Sequence, residues 1–142
     1  MIYNFINDIC EILNIPVPSV SYNTSNFQSD TMMAQVNSSG DTIYLKDYDK
    51  PNPDQLFSIA HELRHVWQIE NNQELYFSNY QTVDIIGIEK YNLQPAEVDA
   101  NAFASIVMVD FFHLQPQYKG LSVSVISAIK NRIAEIITEL SE

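Results

Sequence analysis

Residues 60 to 70 read AHELRHVWQIE and hold two of the three histidines in the chain. His61 and His65 are four residues apart, which on a helix places them one turn apart on one face. Two imidazoles in that relation can both reach a single divalent ion. Glu62 is then angled beside the ion, where its carboxylate meets a bound water rather than the metal. Hydrolysis is the chemistry this spacing serves: an ion that acidifies water, and a base that takes the proton. A histidine on a helix is ordinarily a surface or satisfied core residue. With only three in 142 residues, however, the pairing of two of them around a glutamate weighs toward a metal site.

Two histidines do not complete such a site, which needs a third protein ligand and a fourth position for water. His113 and several carboxylates are formal candidates. The stretch PAEVDANAFA from Pro95 offers the preferred one. At about 100° per residue, Glu97, Ala100, Asn101 and Ala104 share a face, and Asp99 points about 200° away from Glu97. Small alanines on that face permit close approach, so that a short Glu97 side chain can reach the ion. Asn101, one turn on, is placed to support the ligand by hydrogen bonding. Asp99 is the next candidate after Glu97.

These residues need elements to hold them. The run NPDQLFSIAHELRHVWQIENN predicts a helix, with Asn52 at the N-cap, Pro53 at N1 and Gln55 at N3 of a capping box. On it Leu56, Ile59, Leu63 and Trp67 form an apolar stripe opposite His61 and His65, and Arg64 falls between the two faces. A second helix opens at Pro95. Residues 2 to 14 carry Ile2, Phe5, Ile6, Ile9, Ile12 and Leu13 at helical spacing, stopped by Pro16 and Pro18. A last helix over about 122 to 140 carries Val123, Ile126, Ile129, Ile133, Ile136, Ile137 and Leu140. SVSYNT, TMMAQV and TIYLKD are strand candidates, the latter two joined by the turn NSSGD. Residues 41 to 45 are expected to form an exposed edge strand or a plain hairpin strand. Residues 74 to 92 choose neither helix nor strand. The expectation is one α+β domain over 1–142, a small antiparallel sheet with about four helices.

Composition narrows the partners. The chain has 46% hydrophobic residues, and 7 Lys and Arg against 18 Asp and Glu give a net charge of −11. Such a surface repels phosphate backbones, which argues against direct nucleic-acid binding, and it suits a basic protein partner. The single Cys10 excludes an internal disulfide, which predicts a reduced, cytoplasmic setting. The N-terminus lacks a basic leader pattern, and no apolar run reaches the roughly 18 residues that a membrane span requires.

His61, Glu62, Leu63 and His65, followed by Glu97, Ala100, Asn101, Phe103 and Ala104, together resemble the ImmA/IrrE-type metallopeptidases, small members of the gluzincin group. The resemblance covers about residues 31 to 110. It implies a zincin-like fold, one zinc ion on His61, His65 and Glu97, and Glu62 as catalytic base. Arg64 stands where that family commonly has glycine. Zinc is the default metal, although a His, His, Glu set also suits Mn²⁺ or Fe²⁺. The resemblance implies an endopeptidase acting on a specific protein, such as a repressor or regulator of a mobile element. The alternative is a catalytically weak member serving as an acidic antirepressor or inhibitor. Tyr44, Tyr76, Tyr80, Tyr91, Arg64 and His113 are candidate donors to a transition state, and nothing in the sequence chooses among them.

Overall fold

The first helix ends where its apolar spacing gives out. In the computed structural model, which describes residues 1–141, α1 (Ile2–Leu13) buries Phe5, Ile6, Ile9, Cys10 and Leu13. Ile12 falls at the margin of that arc and is exposed. Asn14 then turns left-handed, with φ 54°, a conformation its short polar side chain tolerates. The turn lets the Ile15 amide donate to the Cys10 carbonyl at 3.0 Å, which closes the helix end. Burial pushes the Cys10 thiol up to about 11, so it stays protonated and inert.

Three strands follow: β1 (Ser19–Ser21), β2 (Ala34–Val36) and β3 (Thr42–Leu45), in the order β1-β3-β2. β2 and β3 form the expected hairpin, but β1 pairs with β3 in parallel, so the sheet is mixed rather than antiparallel. A tight turn can join only antiparallel strands, whereas the long connection over 22–33 leaves β1 free to run parallel on the far side. The expectation of an edge strand at residues 41 to 45 is likewise corrected. β3 is the central strand, flanked on both sides, with Ile43 and Leu45 fully buried.

The hairpin turn is held by Asn37, whose Oδ1 accepts the amides of Asp41 at 3.0 Å and Thr42 at 3.2 Å. Gly40 has φ 74°, and a Cβ there would meet Val66 Cγ1 at 3.2 Å and Cγ2 at 3.3 Å. The turn therefore requires glycine for both conformation and space.

α2 (Pro53–Phe77) begins as expected, with Asn52 Oδ1 accepting the amides of Asp54 at 2.9 Å and Gln55 at 3.4 Å. The capping box is only half made. Gln55 is buried, and its Nε2 donates instead to the carbonyls of Lys46 at 2.7 Å and Met33 at 3.2 Å. At Asn72 the backbone leaves helical geometry (φ −161°, ψ 69°), and Asn72 Oδ1 accepts the Leu75 amide to start a final turn.

The chain forms two compact units, Met1–Trp67 and from Gln68 onward. The first contains α1, the sheet and α2 up to Trp67. The second contains the rest of α2, then α3 (Val83–Ile86), α4 (Ile88–Asn92), α5 (Pro95–Phe112) and α6 (Val123–Ser141). Residues 83–92 are thus two short helices, and the architecture is α+β, consistent with a small zincin-like domain. No described helix is long and apolar enough to cross a membrane.

α6 packs on α5 through Val125, Ile129 and Ile136. Val123, Ile137 and Leu140, expected on the apolar face, are exposed. Arg132 lies in the buried stripe, because its Nε reaches Asp99 Oδ1 at 2.8 Å.

Two substitutions test this packing. Gly40→Ala should lower stability by about 1–3 kcal/mol in chemical denaturation, from backbone strain and overpacking against Val66. Arg132→Met, which strips the buried Asp99 of its cation, should lower it by about 3 kcal/mol. A Gly40→Ala midpoint equal to that of the unmodified chain would show that the turn tolerates a side chain.

Candidate metal centre

α2 places its polar face by two attachments to β2 within the first unit. Gln55 bonds the Met33 carbonyl, and Glu62 Oε1 accepts the Val36 amide at 3.1 Å. Seven residues of helix rise about 10.5 Å, and three residues of strand span about 10 Å. The two elements therefore run in step, and one register satisfies both bonds. The hairpin pattern explains why Val36 has an amide to give. Lys46 pairs with Met33 and Asn37 with Thr42, so by alternation Val36 directs its N–H away from β3.

This fixes Glu62 by one oxygen. The other, Oε2, lies 3.9 Å from His61 Nε2. His61 and His65 bring their Nε2 atoms to 3.1 Å, with the rings edge to face at 4.7 Å between centroids. Two nitrogens on one tetrahedral zinc, each bonded at about 2.0–2.1 Å, are separated by about 3.3 Å. The imidazole pair therefore has the spacing of two ligands to one ion. Both rings and Glu62 are partly exposed.

In the second unit Glu97 is buried near the start of α5, behind Pro95 at N1. Tyr80 donates its hydroxyl proton to Glu97 Oε2 at 2.9 Å. The Tyr80 and Tyr91 hydroxyls lie 2.8 Å apart. Tyr80 has one proton, and a carboxylate has none to give, so Tyr91 supplies the proton of that second bond. Burial, followed by the neighbouring Glu97 charge, pushes the Tyr80 pKa far above the ordinary phenol range, so it remains a donor.

His61, His65 and Glu97 each offer a ligand atom, and these atoms all lie within 4.8 Å of one another, a group able to hold a metal ion. Neither Asp99 nor His113 belongs to that group. Asp99 is buried, with Oδ1 on Arg132 Nε and Oδ2 on Gln68 Nε2, each at 2.8 Å. His113 turns left-handed (φ 56°) and closes the C-terminal end of α5. Arg64 does not reach solvent: it is buried with its guanidinium stacked 3.6 Å from the Trp67 ring centroid. Tyr76 meets Arg132 Nη2 at 3.4 Å.

Two partners had no sequence signal. The Val36 amide that holds Glu62 depends on strand register. Tyr80 stands 17 residues before Glu97, in a stretch without a clear period, and nothing in the sequence of that stretch pairs its hydroxyl with the carboxylate.

Removing one ligand should remove the metal. Glu97→Ala should reduce bound metal, measured by elemental analysis of the purified protein, from about one equivalent to a small fraction of that. Full occupancy in that variant would exclude Glu97 as a ligand.

A family model described as IrrE N-terminal-like domain, Peptidase_M78, matches residues 10–120, most of the chain. No curated protein and no solved structure gives a match.

Proposed function

The chain belongs to the IrrE N-terminal-like domain family, Peptidase_M78, and from that premise we propose that it is a zinc-dependent endopeptidase acting on a specific protein. The observation that carries this reading is the grouping of His61, His65 and Glu97 within 4.8 Å, with the Glu62 carboxylate held alongside. Two neutral imidazoles and one carboxylate are a donor set suited to Zn²⁺, and three protein ligands leave a position open. Bound there, the ion supplies Lewis acidity and a water acidified to near-neutral pKa.

The residues of the chain do the rest. Glu62 is held at Oε1 by the Val36 amide, so its carboxylate cannot rotate freely, and Oε2 remains on the side of His61. Glu62 Oε2 takes the proton of the attacking water and passes it to the leaving amine. His61 and His65 act as neutral ligands through Nε2. Glu97 contributes one negative charge from a buried position, which tempers the charge of a dication.

The net charge of −11 favours a basic substrate, and a DNA-binding repressor or regulator of a mobile element has that character. A buried, protonated Cys10 suits a cytoplasmic setting.

The test is co-expression with a basic DNA-binding regulator offered as substrate. Glu62→Gln should keep its metal and lose cleavage by about 10²–10⁴-fold, the usual share of a general base. Cleavage at the unmodified rate would show that Glu62 is not the base. A regulator bound intact by the unmodified protein would replace proteolysis with simple capture.

A further inference from the structure

We infer that Tyr80, backed by Tyr91, is a positioning residue that fixes the Glu97 carboxylate for metal binding. This rests on the reading of His61, His65 and Glu97 as ligands. The Tyr80 hydroxyl donates to Glu97 Oε2 at 2.9 Å, and the Tyr91 hydroxyl lies 2.8 Å behind it. The rings meet edge to face, 5.9 Å between centroids, and the Phe77 ring packs against Tyr80 at 5.1 Å.

The backbone that carries Tyr80 is itself clamped to the start of α5. Gln94, the N-cap residue of α5, accepts the Gln81 amide on Oε1 at 2.7 Å and donates from Nε2 to the Gln81 carbonyl at 3.0 Å. One glutamine side chain thus pairs both backbone groups of the residue after Tyr80, and it does so three residues before Glu97. The stretch from 81 to 94, including α3 and α4, is closed into a strap whose two ends are tied together. The phenol cannot drift from the carboxylate without breaking that clamp.

The consequence for a metal is specific. A carboxylate has two oxygens, and a Tyr80 hydroxyl bonded to Oε2 would weaken that oxygen as a ligand and direct an ion to Oε1. The phenol stops the carboxylate from rotating and from engaging the ion with both oxygens. A ligand confined to one oxygen leaves a coordination position for water or substrate, as a hydrolytic site requires. A hydrogen bond to a ligating side chain of this kind is commonly worth about 10–100-fold in metal affinity.

The experiment uses the full chain, stripped of metal and titrated with Zn²⁺ against a chromophoric chelator and, separately, with Co²⁺ followed by visible absorption. Tyr80→Phe removes only the hydroxyl. It should weaken Zn²⁺ by about 10–100-fold and alter the Co²⁺ spectrum at saturation, because the freed oxygen changes the coordination. Tyr91→Phe, which removes the hydroxyl that backs Tyr80, should cause a smaller loss in the same direction. The metal-free melting temperature separates positioning from simple packing. A Tyr80→Phe protein that melts lower but gives the unmodified Co²⁺ spectrum at saturation would overturn the inference, as would unchanged affinity and spectrum. Failure of the unmodified protein to bind either metal would instead overturn the ligand reading, and this inference with it.

Discussion

A carboxylate inside a protein must be met by donors or a counter-charge, because an uncompensated buried charge costs several kcal/mol. α5 carries two of them, Glu97 and Asp99, both nearly inaccessible to solvent. Much of the second unit can be read as the answer to that constraint. Asp99 is met by Gln68 and by Arg132 of α6. Glu97 is met by Tyr80, which the strap closed by Gln81 and Gln94 holds in place. The alanines of α5 allow these partners close approach, as Ala96, Ala100, Ala102 and Ala104 are all buried. Two carboxylates two residues apart therefore take different roles. Asp99 is bonded to a guanidinium and an amide, whereas Glu97 takes a bond from a neutral phenol and belongs to the group able to hold a metal ion.

The first unit solves a simpler problem, that of holding a helix at a set height along a strand. Gln55 and Glu62 bond to β2 at Met33 and Val36, and Val66 packs against the Gly40 turn. The three contacts fall along one side of α2, a turn or more apart, so the helix can neither slide nor roll. A glutamate that bonds a backbone amide while standing next to the histidines would, as the proposed base, serve the fold and the chemistry at once. A base is useful only if its free oxygen is held in one place, and the Val36 amide provides that without a second side chain.

The helices were the most legible part of the chain, because apolar periodicity and caps are local signals. Asn52 and Pro53 open α2 where side-chain chemistry puts its start, and the expected end at Asn72 is a break in the helix, which resumes to Phe77. The grouping of His61, His65 and Glu97 could be argued from helical angles alone, since face and small neighbours are properties of a helix. Partners that depend on tertiary register were not legible. Gln55 looked like half of a capping box, yet its side-chain amide is turned to the carbonyls of Met33 and Lys46, just outside the paired strands. Residues 41 to 45 could be read as an edge or as a plain hairpin strand, because strand order cannot be read from three short runs of alternating residues. The apolar spacing of α6 gave no reason to single out Arg132, because the partner that draws it toward the interior lies 33 residues away at Asp99.

The Asp99–Arg132 pair has a practical consequence. The family match ends at residue 120, and Arg132 lies past it. A protein engineer who trimmed the chain to the recognised segment would keep every candidate ligand and the base, yet would leave a carboxylate in the interior with its cation deleted. Positions 99 and 132 are best treated as one module: transplanted together, exchanged together for an apolar pair, or left alone.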